Sequence, residues 1–153
     1  MMFRKLAAIL VLAGAVALPV LASAPASAST SSHHWTAYVW AENHAGGCWY
    51  VYGGTGPCSS GYDCSGVVYA AYGHTWFWLP RTTYGMFGSP HLRREPHADA
   101  RMGDLVAFGS GHVEMYAGRY TTFGALQSGT RVGWHHWSWS SWWHPSGFYR
   151  VVW

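Results

Sequence analysis

Cys64 stands in Gly61-Tyr62-Asp63-Cys64-Ser65-Gly66, and the apolar run Val67-Val68-Tyr69-Ala70-Ala71-Tyr72 follows it. The polar loop ending at Asp63 and the apolar run after Cys64 predict a buried helix that begins at the cysteine. A sulfur at that place lies beside backbone N–H groups without intrahelical partners, at the positive end of the helix dipole. Such surroundings lower a thiol pKa and favour the nucleophilic thiolate. A cysteine nucleophile needs a base to take its proton, and usually a third group to orient that base. His112, in Gly111-His112-Val113-Glu114-Met115-Tyr116, is the candidate base. A buried cysteine is more often inert packing, and ten histidines make a chance pairing easy. The context of the two residues therefore has to carry the argument.

Cys64 and His112 are far apart in sequence, so only the fold can join them. Ser31 or Ser32 can cap a helix over 35–44, which Gly46-Gly47 ends. Trp49-Tyr50-Val51-Tyr52 reads as a short strand or extended entry to the turn Gly53-Gly54-Thr55-Gly56-Pro57. Pro80 suits the first turn of a short second helix, and 89–101 reads as surface loop. Strands are expected over 104–108, 112–117, 121–126, 130–134 and 148–152, with alternation visible in Val113-Glu114-Met115-Tyr116. Helices first and antiparallel strands second indicate an α+β domain.

The chain of 153 residues opens on Arg4-Lys5 and an apolar stretch from Leu6 to Leu21, followed by Ala22-Ser23-Ala24 and Ala26-Ser27-Ala28. This is the pattern of an export signal with a cleavage site, expected over 1–28; the alternative is a membrane anchor. Residues 29–153 then form one compact domain of a secreted protein, not inserted in the membrane. Of the nine basic residues seven lie in that domain, against six acidic, a formal charge of +1. No basic stripe points to nucleic acid. With 18% aromatic residues and 11 tryptophans, some rings should line a groove rather than the core. Three cysteines in an exported chain allow one bridge and one thiol. Cys48 and Cys58 flank the glycine turn and are close enough to pair, leaving Cys64 free. Three reduced cysteines, or a Cys58–Cys64 bridge, are the alternatives.

Five blocks together resemble one family: 50–57, Asp63-Cys64-Ser65-Gly66, Leu79-Pro80-Arg81-Thr82-Thr83, 103–108 and 112–118. They are similar, in order, to the NlpC-type cell-wall peptidases, papain-like cysteine hydrolases of bacterial peptidoglycan. The resemblance implies a papain-like fold with N-terminal helices packed on an antiparallel sheet. It implies Cys64 as nucleophile and His112 as base and later acid. Tyr50 matches the tyrosine beside the nucleophile; Asp63 and Ser65 match positions that recognise the substrate peptide, and Asp63 can equally cap the helix. The implied activity is cleavage of amide bonds in stem peptides, with D-glutamyl–diamino acid the bond most often cut.

One position departs from the family pattern. Many members carry a third polar residue, often a second histidine, where this chain has Gly124. Gln127 is the nearest candidate to replace it, with an exposed strand-end glutamine as the bland reading and His135 and His136 as further candidates. Gly124 also admits a wall-binding domain that has lost hydrolysis, and the thioester chemistry admits an amidase or acyltransferase on another substrate. His135, His136 and His144 lack a cysteine or carboxylate at a metal spacing, so no metal and no cofactor is expected. The tryptophan-rich segment 134–143 reads as core and groove wall, with glycan stacking as the alternative. A monomer acting on a peptidoglycan stem peptide is the resulting expectation.

Overall fold

The computed structural model describes residues 26–153, with side chains from His33 onward. The export segment lies outside the described residues except for Ala26-Ser27-Ala28, which begin the first helix. Helix α1 spans Ala26–Ala45. It starts earlier than expected, so Ser31 and Ser32 lie inside it rather than at its cap. No Gly or Pro interrupts that stretch, whose small residues allow helix to continue backwards. The helix stops before Gly46-Gly47, where Gly47 takes φ 76°. Among the described residues no helix is long and apolar enough to cross a membrane.

Helix α2 spans Cys64–His74, with Asp63 as its N-cap: the carboxylate accepts from the Gly66 N–H at 2.7 Å. A Cβ at residue 66 would overlap the Gly54 carbonyl oxygen, so the first turn of α2 lies directly on the glycine turn. The short helix α3, Thr83–Phe87, begins beyond Pro80, because the Thr82 hydroxyl caps it by accepting from the Gly85 N–H at 3.1 Å.

Six strands follow: β1 Leu92–Glu95, β2 Leu105–Phe108, β3 His112–Tyr116, β4 Thr121–Gly124, β5 Gly133–His136 and β6 Gly147–Val151. They form one sheet in the order β1-β6-β2-β3-β4-β5, with every neighbouring pair antiparallel. Strand β1 lies inside the stretch expected to be loop. Leu92-Arg93-Arg94-Glu95 has no apolar alternation to reveal a strand; it is a charged edge paired only with β6.

The core lies on both faces of the sheet. Tyr38 and Ala41 of α1 and Val67, Val68 and Tyr72 of α2 pack with Leu105, Val113, Met115 and Phe123. On the other face Val106, Phe108, Tyr116 and Phe148 pack with Trp137. The chain after β5 folds back over that face, and Trp143 stacks on Phe108 with ring centroids 4.3 Å apart. The tryptophan-rich segment is thus divided: Trp137 is buried, whereas Trp134, Trp139 and Trp142 are exposed. A Cys48–Cys58 disulfide closes the glycine turn, with Cα atoms 5.1 Å apart, and Cys64 is free. The architecture is the α+β arrangement of helices on an antiparallel sheet.

Candidate active site

Cys64 is the first residue of α2 and is 9% exposed. Its thiol lies 3.8 Å from the Thr83 hydroxyl, with the His112 imidazole and the Val113 backbone close enough to act on it. Burial pushes the thiol pKa up, but His112, then Thr83 and the Val113 backbone, outweigh it together, and the result lies below the ordinary value. His112 opens β3. Burial pulls its pKa down, yet Cys64 and Glu114 together raise it to about 9. Both shifts favour the thiolate–imidazolium form of the pair.

His112 Nε2 lies 3.1 Å from Glu114 Oε1. With Nε2 committed there, Nδ1 is the nitrogen left to face the sulfur. Glu114 is fully buried. Its Oε2 accepts from the Thr122 hydroxyl at 2.5 Å. His135 Nδ1 on β5 approaches Oε1 to 2.8 Å, an ion-pair contact off the line of a regular hydrogen bond. Burial pushes the Glu114 pKa up, but hydrogen bonds and charge from His112 and His135 hold it below the usual carboxylate value.

Gln127 does not reach this cluster. Strand β4 ends at Gly124, and Gln127 is exposed in the following turn, where its carbonyl accepts from the Thr130 hydroxyl at 2.6 Å. The strand shift needed to bring its amide to His112 is absent, because Met115 pairs with Phe123 and Tyr116 with Thr122 in regular register. His136 bonds Thr121 at 3.1 Å, away from the imidazole. The group beside His112 is Glu114, to which the sequence pattern assigns no role beyond its place in the alternation of β3. The missed signal was its position two residues after His112, which places both side chains on the same side of β3.

Tyr50, Asp63, Ser65, Arg81 and Thr83 line a cleft of about 490 Å3 that contains Cys64. The Tyr50 phenol is raised by burial and then by the charge of Cys64. Asp63 does more than cap α2: its Oδ2 accepts from the Gly53 N–H at 2.8 Å and from Arg81 at 2.9 Å. Arg81 also donates to the Ser65 hydroxyl at 2.8 Å and to the Gly54 carbonyl at 3.2 Å. The guanidinium therefore ties the nucleophile's loop to the glycine turn.

Comparison with known proteins places this geometry. The NlpC/P60 family profile matches residues 47–146. A probable endopeptidase of Corynebacterium glutamicum is 38% identical over 90 residues, which cover 56% of this chain and 40% of that protein. The bifunctional muramidase/DL-endopeptidase CwlT of Bacillus subtilis is 36% identical over 87 residues, covering 52% of this chain and 26% of its own. This chain thus spans less than half the length of either relative. Among solved structures, the peptidoglycan hydrolase RipB of Mycobacterium tuberculosis superposes with TM-score 0.62 at 23% identity, covering 87% of this chain and 74% of its own. The NlpC/p60 domain of the peptidoglycan hydrolase SagA gives TM-score 0.63 at 25% identity, covering 78% of this chain and 98% of that domain. The match over most of the described domain, together with a thiol and an imidazole at the head of α2, makes this chain a member of the NlpC/P60 family.

Proposed function

We propose that this chain is a secreted cysteine hydrolase that cuts amide bonds in peptidoglycan stem peptides, with residues 29–153 as its catalytic domain after removal of 1–28. The observation that carries the reading is a lowered thiol at a helix N-terminus, beside a raised imidazole, in a cleft lined by polar groups. The Cys64 thiolate attacks the carbonyl carbon, forming a C–S bond and a tetrahedral oxyanion. N–H groups of the first turn of α2, which lack intrahelical partners, face the developing charge. The C–N bond breaks as His112 gives its proton to the leaving amine, and a thioester remains. Water then attacks the thioester, His112 takes its proton, and the released acid leaves the thiol and imidazole ready for the next cycle. Tyr50, Asp63 and Ser65 contact the peptide on the acyl side, with D-glutamyl–diamino acid as the bond of choice.

The alternative, a wall-binding domain without hydrolysis, draws on Gly124 and on the tryptophan-rich end, where Trp134, Trp139 and Trp142 are exposed. A carboxylate beside His112 favours the hydrolase. The deciding experiment uses purified walls and mass spectrometry of the soluble products, whose masses name the bond. Cys64→Ala and His112→Ala should abolish fragment release while circular dichroism is unchanged. Undiminished release by Cys64→Ala would remove the mechanism.

A further inference from the structure

We infer that Glu114 is the positioning residue that orients His112 in this chain, and that the absence of a side chain at Gly124 is what admits it. The inference rests on the hydrolase reading and adds the residue that the departure at Gly124 left unassigned.

The first support is register. The pairing of Met115 with Phe123 and Tyr116 with Thr122 continues, one step further, to Glu114 opposite Gly124. The second is exclusion. A Cβ on residue 124 would lie 2.8 Å from Glu114 Cγ, 3.1 Å from its Cβ and 3.2 Å from its Cδ. These atoms run from the root of the glutamate to its carboxylate carbon, so a shift that clears them moves the carboxylate too. A side chain at 124 therefore requires Glu114 to leave its present position.

The third support is the complete engagement of the carboxylate. His112 holds Oε1 from β3, His135 approaches the same oxygen from β5, and Thr122 holds Oε2 from β4. Three strands fix the group in rotation as well as position. A buried carboxylate held in this way accepts from Nε2–H, so the neutral ring keeps its Nδ1 lone pair for the thiol. When the ring is protonated, the same oxygen stabilises the imidazolium. The lowered Glu114 pKa agrees with a group that stays ionised throughout.

The test compares Glu114→Gln, Gly124→Ala, Glu114→Ala and the double variant E114A/G124E in the full chain. Two readouts are used: kcat and KM for fragment release, and the pH profile of Cys64 alkylation by iodoacetamide. Glu114→Gln should lower kcat about 10²- to 10³-fold with little change in KM, by analogy with the loss of an orienting carboxylate. The alkylation midpoint should move to higher pH, since a neutral amide no longer supports the imidazolium. Gly124→Ala should give the same signature more weakly, by displacing Glu114. E114A/G124E, which supplies the carboxylate from β4, should recover at least about tenfold over Glu114→Ala. A merely structural glutamate would not move the alkylation profile or be rescued from another strand. Wild-type kcat and an unshifted midpoint in Glu114→Gln would overturn the inference, and so would a folded double variant no faster than Glu114→Ala. If Glu114→Ala fails to fold, the Glu114→Gln profile decides alone. A midpoint that shifts in a chain releasing no fragments would sink the hydrolase reading and leave the positioning role standing.

Discussion

His34 lies 3.8 Å from Asp104, and His112 lies 3.1 Å from Glu114; both carboxylates are fully buried. The two imidazoles nevertheless move in opposite directions. Burial lowers the pKa of His34, while His112 rises to about 9. His112 has the Cys64 thiol beside it, which His34 lacks, and the two carboxylates differ in what else they meet. Arg150 donates to both oxygens of Asp104, at 3.2 and 2.7 Å, so its charge is already matched by a permanent cation. Glu95, which shares that guanidinium at 2.7 Å, is pushed up to about 8 by burial and by Asp104. Among the described residues no arginine pairs with Glu114. Its counter-charges are imidazoles, which lose their charge within reach of physiological pH. The first region is a fixed joint between α1, β2 and β6, and the second can pass a proton. The hydrogen bond to the carboxylate, the neighbouring thiol and the absence of a competing guanidinium at Glu114 together separate the two roles.

The comparison breaks most visibly at Arg150. Arg150→Gln leaves Asp104 buried without its cation and should cost about 3–5 kcal/mol in urea denaturation, with kcat per folded molecule retained. In that variant His34 should become the counter-charge, and its titration followed by NMR should move upward. A smaller effect is expected from pH. The folded pKa of His112 exceeds the unfolded value of about 6.5. The stability from its bound proton is therefore complete below about 6.5 and is lost as pH rises through about 9. The midpoint of thermal unfolding should fall across that interval in the wild type and be flatter in His112→Gln. Fragment release should decline on the same alkaline limb, because the leaving amine then lacks its acid. The smallest effect belongs to Gln127→Ala, expected to leave kcat unchanged and stability within about 0.5 kcal/mol. A large loss of kcat there would return the orienting role to the strand end.

Much of this molecule was legible as sequence because the relevant signals were local. Asp63 before an apolar run marked the start of α2, and Gly46-Gly47 marked the end of α1. Alternation in Val113-Glu114-Met115-Tyr116 correctly placed β3. Three features were hidden for physical reasons. Strand β1 is held by pairing with β6 rather than by a buried face of its own, so its charged residues carried no periodic signal. Helix α1 extends past the serines that looked like caps, since nothing in 26–34 stops a helix. Glu114 carried no assigned role because alternation gives the side of a strand without saying what covers it. Here β4, β5 and the returning chain enclose that side, which depends on contacts between distant segments. Gly124 was noticed as a missing side chain; that it was space for another residue needed the β3–β4 register.

That shared space also constrains the order in which sequence changes can occur at the two positions. A bulky residue at 124 must be removed before a glutamate can enter at 114, and the glutamate must leave before 124 can regain one. Single substitutions made in the wrong order meet a steric barrier, whereas the route through two small residues passes only through an unoriented imidazole. Libraries that vary 114 and 124 independently would therefore be depleted in the combinations where both are large.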